Sequence, residues 1–124
     1  MKMKSNQIFL TLAVFATILL FSCKKEGTNP QFTFTNNITQ GSANSSGEYT
    51  IIGHISSVAR LDKVVLTKEG QATSFLVDEA TAKNKNEYDF SYLVIDINAD
   101  TYIRIDAYDQ EGGKMTQRFL ITKQ

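Results

Sequence analysis

The chain has 124 residues, with 13 basic and 13 acidic side chains, one cysteine, one histidine and no tryptophan, which suits one domain of ordinary size. Lys2 and Lys4 are the only charges before Cys23, and the 11 basic and 13 acidic side chains that follow leave a net charge of −2, so nothing in the balance points to nucleic acid or an anionic surface as partner. One cysteine excludes a disulfide within the chain, and one histidine is too few for an ordinary structural zinc site.

The first element is an uncharged run, Ile8–Phe21, of 14 residues behind Lys2 and Lys4. A helix of that length rises about 21 Å, short of the roughly 30 Å bilayer core, so the run predicts a cleaved export signal and not a span. It stops at Ser22-Cys23-Lys24-Lys25, and Leu20-Phe21-Ser22-Cys23 resembles a lipobox. Phe21 departs from the smaller residue usual at its position. The resemblance covers the first 23 residues and implies cleavage between Ser22 and Cys23. Cys23 would then be acylated, which ties the chain to a lipid bilayer without a spanning helix. The start Ser-Cys-Lys-Lys is similar to lipoproteins of the Bacteroidetes, which implies the outer membrane. The acid-rich stretch that sends some of them to the cell surface is reduced here to Glu26, so the leaflet stays open.

Beyond the cysteine, residues 24–31 are polar and hold Gly27 and the single proline, Pro30, which predicts a tether. Gln31–Thr35 alternates, with Phe32 and Phe34 on one face, and fits a first edge strand. Asn36–Gly47 is rich in Asn, Ser and Gly and predicts a flexible loop. Residues 1–22 therefore read as signal, 23–47 as anchor, tether and edge strand, and 48–124 as a folded domain, with an alternative start near residue 31.

From Glu48 the period is two. Tyr49, Ile51, Gly53 and Ile55 share a face, with Ile52 and His54 opposite. Val64 and Leu66 pair within residues 61–68, and Glu69-Gly70 predicts a tight hairpin turn. Thr73, Phe75 and Val77 alternate with Ser74, Leu76 and Asp78. Residues 79–86 predict a polar connection with room for one helical turn. Tyr88, Phe90 and Tyr92 share a face, then Leu93, Ile95 and Ile97 take the other, which predicts a bulge near Tyr92-Leu93. Ile103, Ile105 and Ala107 alternate with Tyr102, Arg104, Asp106 and Tyr108. After the turn at residues 109–113 come Met115, Gln117, Phe119 and Ile121. Seven strands and no helical period predict an all-β, two-sheet antiparallel sandwich; a mixed α+β fold would need a helix over residues 79–86.

The run from Tyr102 to Asp109, followed by Gly112-Gly113 and Phe119-Leu120-Ile121, resembles the closing hairpin of immunoglobulin-like domains in bacterial surface proteins. The run from Gly53 to Leu61, leading into Val64 and Leu66, is similar to their earlier strand, loop and strand. The resemblance implies a fold more than a role, because such sandwiches host unrelated functions.

No catalytic constellation, cofactor loop or metal motif stands out. His54 reads as a solvent-facing or hydrogen-bonded strand residue. Asp96, Asn98 and Asp100, and again Asp106, Asp109 and Glu111, are candidates for calcium at a sandwich end, with turn stabilisation as the plainer reading. Tyr102, Arg104 and Tyr108 form the candidate binding surface, suited to a protein or glycan partner at the envelope. The plainer reading there is a structural tyrosine corner at Tyr102. The expectation is a non-catalytic binding or accessory domain. A structural spacer or assembly subunit is the alternative, and a hydrolase using scattered carboxylates is less favoured.

Overall fold

The computed structural model describes residues 29–124. Eight strands follow in chain order: β1 (Gln31–Phe34), β2 (Gln40–Ser42), β3 (Tyr49–Ser56), β4 (Leu61–Lys68), β5 (Leu76–Asp78), β6 (Glu87–Val94), β7 (Thr101–Asp109) and β8 (Lys114–Thr122). They form a three-stranded sheet, β1-β3-β6, and a five-stranded sheet, β2-β8-β7-β4-β5. The predicted all-β sandwich is the observed one. Every pairing is antiparallel except β2 with β8.

The period of two decides what lies between the sheets. Ile51, Ile55, Phe90 and Val94 face inward from one sheet, and Leu61, Val64, Leu66, Ile103, Ile105, Ala107, Phe119 and Ile121 from the other, all buried. Gly53 is the one inward position of β3 without a side chain. It lies between Phe34 and Phe90 in the strand register, and the rings of those two meet edge-on at 6.1 Å. A Cβ on Gly53 would come within 2.6 Å of the Phe90 ring and 2.9 Å of the Thr33 carbonyl oxygen. The glycine is what allows two phenylalanines to flank one strand.

Three expectations need correction. The expected loop over residues 36–47 carries β2. Asn36 and Asn37, both at φ 57°, turn the chain out of the first sheet, since asparagine tolerates the left-handed region. Gln40–Ser42 then pairs with Leu120–Thr122 of β8. Three polar or small residues give no alternation to read, so this strand exists through its partner. The bulge expected near Tyr92-Leu93 is absent: β3 and β6 stay in register from Tyr49 opposite Val94 to Ser56 opposite Glu87. Val94 continues the inward set, Leu93 and Ile95 are 54% and 49% exposed, and the phase changes at Asp96, φ 61°, beyond the strand end. The turn at Glu69-Gly70 opens a longer connection, because β5 begins only at Leu76, opposite Leu66. The irregularity observed lies between β4 and β7 at Leu61 and Lys63.

Residues 79–86 contain two hydrogen-bonded turns, Lys83 N–H to Glu79 C=O at 3.1 Å and Lys85 N–H to Ala82 C=O at 3.2 Å, around buried Ala82. The sheets begin at Gln31, the earlier of the two starting points. Gly53→Ala is expected to lower stability by about 1–3 kcal/mol through overpacking against Phe90, read as the shift in a urea unfolding midpoint; an unchanged midpoint would show that the rings relax freely.

Candidate functional site

The outer face of the five-stranded sheet gathers the predicted surface. Tyr102, Arg104, Asp106 and Tyr108 stand on β7. Leu120, Arg118, Thr116 and Lys114 lie opposite them in turn on β8, while Thr67, Val65 and Lys63 face Arg104, Asp106 and Tyr108 from β4. Both rings carry cations. The Lys63 and Lys114 ammoniums each sit 5.3 Å from the Tyr108 ring centroid, and the Arg118 guanidinium sits 3.8 Å from that of Tyr102. Such contacts are worth about 0.5–1 kcal/mol at exposed sites. Tyr102 is 41% exposed, a surface position.

A buried carboxylate organises the middle of this face. The Asp106 side chain is 4% exposed. It accepts from Thr116 Oγ1 at 2.6 Å and Arg104 Nε at 3.2 Å, with Lys114 Nζ at 4.0 Å. The sequence pattern places Asp106 outward and does not reveal that its neighbours cover it. Arg118 is held by Glu69 through Nε at 2.6 Å and Nη2 at 3.1 Å. Arg104 and Arg118 are direct cross-strand partners, a like-charge pairing that costs stability and that Asp106 and Glu69 offset.

The opposite outer face has another character. No lysine or arginine occurs in β1, β3 or β6. His54 Nδ1 lies 2.7 Å from Asp89 Oδ1, and Nε2 lies 3.4 Å from Glu87 Oε1. The Asp89 hydrogen bond raises the His54 pKa above 6.5, partial desolvation works against it, and Glu87 adds to the rise.

A second polar cluster escaped the sequence reading. Where β5 and β6 face each other at the flank, Asp78 Oδ2 accepts from Tyr88 Oη at 2.6 Å and Tyr92 Oη at 2.7 Å. Oδ1 accepts from the Thr81 amide at 3.1 Å and Thr81 Oγ1 at 2.8 Å. Partial burial works to raise the Asp78 pKa, but the Tyr88, Tyr92 and Thr81 donors together hold it below its ordinary value. Burial first, then the same carboxylate, pushes the Tyr92 phenol upward, and Tyr88 moves the same way. The cluster lines an open groove of about 590 Å³ with Leu76, Val77, Asp89 and Ser91. Two inward-facing tyrosines on one strand were the available signal, because a buried phenol wants a partner.

The two calcium candidates are held apart. Asp100 Oδ1 accepts the Lys123 amide at 2.8 Å. Asp106 and Asp109 lie on opposite faces of the sheet, and Asp109 Oδ1 accepts the Glu111 and Gly113 amides at 2.9 and 2.6 Å, which shapes the β7–β8 turn. Among the described residues no three His, Cys, Asp or Glu side chains form a metal-binding group. Ser22 and Cys23 lie outside the described residues.

No known family model matches the chain, and no curated protein sequence does. Among solved structures it is similar to the fibronectin(III)-like modules of Clostridium thermocellum CbhA, with TM-score 0.53 and 15% identity over 78% of this chain and 47% of that one. The fold is an immunoglobulin-like β-sandwich. The chain spans just under half the length of that structure, and at this identity the likeness concerns the fold alone.

Two outcomes are expected here. Tyr92→Phe removes one donor to a carboxylate and should cost about 1–3 kcal/mol in urea unfolding. The Asp78 contribution should be complete above about pH 4 and be lost as pH falls through its lowered folded pKa, a dependence that Asp78→Asn removes. For His54 the sign reverses. Its contribution is full below about pH 6.5 and lost as pH rises through the raised folded pKa, and in an NMR titration Asp89→Asn should bring that pKa down. An unchanged titration would show that the Asp89 contact carries no charge interaction.

Proposed function

We propose that this chain is an envelope lipoprotein, anchored to the outer membrane through acylated Cys23, whose immunoglobulin-like domain is a non-catalytic binding module for an acidic partner. The observation that carries the binding reading is the cation-stacked tyrosine surface: Lys63, Lys114, Arg104 and Arg118 around Tyr102 and Tyr108, on the one sheet whose strands hold lysine and arginine. A flat face with pre-positioned cations suits carboxylates on a glycan or a protein, and long-range attraction would speed the encounter.

Three features support a non-catalytic role. Both nitrogens of the only histidine face carboxylates at the surface. The Asp78 carboxylate is occupied by structural donors. The groove beside it is open to solvent. The lipid anchor rests on the order of apolar run, Ser22 and Cys23 in the sequence.

Mass spectrometry of the mature N-terminus should find Cys23 acylated, and Cys23→Ser should move the protein from the membrane fraction to the soluble one. The folded protein should bind polygalacturonate but not dextran, more weakly as salt rises, and Lys63→Glu with Lys114→Glu should abolish that binding. Equal retention of both polymers, or binding indifferent to salt, would reject the acidic-partner reading.

A further inference from the structure

We infer that the free edge of β6 takes up an extended, basic polypeptide segment, which joins the three-stranded sheet as a further strand along the Asp78 groove. The site shares no residue with the tyrosine surface and asks for the opposite charge.

Each sheet has two edges. β1 has four residues, β2 and β5 have three each, and β6 has eight. The order β1-β3-β6 leaves one side of β6 without a neighbouring strand. An edge strand turns a row of its N–H and C=O groups away from the sheet. Among the described residues, no backbone hydrogen bond outside the β3 ladder reaches residues 87–94. Proteins guard such edges with brevity, lysine, proline or a bulge. β6 holds no lysine and no proline, and its register with β3 is unbroken from Glu87 to Val94. It is a long, straight template for pairing.

The groove of about 590 Å³ runs along this edge. Tyr88, Asp89, Ser91 and Tyr92 line it from β6, with β5 across from them. The two tyrosines face inward, while Asp89 and Ser91 face outward, so the groove follows the side of the strand and neither face alone. Bonds from Tyr88 and Tyr92 to Asp78 hold its two walls together. Val77 lines it and Leu93 stands next along β6, 52% and 54% exposed. A strand laid here covers apolar surface as well as backbone.

Charge selects the occupant. The charged residues lining the groove are Asp78 and Asp89, and no lysine or arginine joins them. Glu79 and Glu87 lie close by in the chain, His54 sits between Asp89 and Glu87, and Lys85 precedes the strand. Lys83 is 3.7 Å from Asp62. At the other end Lys68 donates to the Ile95 carbonyl at 2.7 Å, with Asp96 after it and Glu48 at the start of β3. Glu69 is held by Arg118. Acids therefore outnumber cations along the edge. The most accessible are at the start of β6, where the Asp89 and Glu87 side chains are 91% and 63% exposed. A strand added beside them places alternate side chains against these acids, where lysine or arginine is attracted and glutamate repelled. Backbone bonds supply the affinity and the acids choose the sequence. A second copy of this chain would offer β6 itself, which carries acids and no base, so it lacks the matching charge.

The test uses the full chain in a non-ionic detergent and follows amide hydrogen exchange along β6 by NMR. The probe is a blocked peptide, as long as β6, in which lysine and valine alternate. It should slow exchange severalfold at alternate amides of β6, and less so as salt rises. The counterpart with glutamate in place of lysine should leave those amides unchanged, even where it binds the tyrosine surface. N-methylation of the peptide amides along one edge should abolish the effect, and along the other edge should not, because only one edge pairs with β6. Asp89→Lys with Glu87→Lys, circular dichroism unchanged, should reverse the preference between the peptides. Slowing that survives N-methylation of either edge shows contact without a ladder and overturns the inference, as does equal protection by both peptides. Protection of β6 that appears without peptide as the chain is concentrated overturns it in favour of a second copy.

Discussion

Asp78 sits where the two sheets part, and its carboxylate closes the flank that the backbone leaves open. Two packed sheets share a core, but their edge strands do not hydrogen-bond to each other. On one flank the chain itself crosses, from β1 in the first sheet to β2 in the second. On the other, β5 has only three residues, too few to cover β6. Tyr88 and Tyr92 reach across instead and place their hydroxyls on one carboxylate oxygen. Hydrogen bonds to an ionised acceptor are stronger than neutral ones, so a few side-chain bonds do what a longer strand would otherwise do. The groove beside them is a consequence of that economy in backbone.

Charge segregation is the second organising feature. A chain with net charge near zero gives no sign of it. The alternation of β7 and β8 puts Arg104, Lys114 and Arg118 on the face away from the core, β4 adds Lys63, and the three-stranded sheet receives only acids and His54 on its strands. Net charge averages over geometry that the strand register creates. The buried Asp106 then fixes the direction of Arg104 and sits close to Lys114, so these cations are ordered by contacts within the domain itself.

Much of this was readable in the residues. The inward set Ile51, Ile55, Val64, Leu66, Ile103 and Ile105 follows from alternation alone, as does the placement of Tyr102, Arg104 and Tyr108 on one outer face. What escaped depends on contacts between distant positions. Gln40-Gly41-Ser42 has no pattern of its own and becomes a strand because β8 offers an edge. Leu93 and Ile95 look like core and are not, because burial at β6 is set by its regular pairing with β3, and hydrophobicity alone cannot specify phase. The Asp78 cluster joins residues from β5, a turn and β6. Its tyrosines were visible as strand residues, while their shared acceptor was not.

The divided first strand has a mechanical consequence. The chain enters β1 at Gln31, beside Ser56, and runs along the sheet before crossing to β2. Tension drawn through the tether along that axis would load the β1–β3 backbone bonds together, in shear, and would not peel them apart one by one. Behind them, β2 lies parallel to β8 and offers a second set of bonds loaded in the same sense. Pulled from Gln31 along the strand axis, the domain would meet two sets of backbone bonds that share the load.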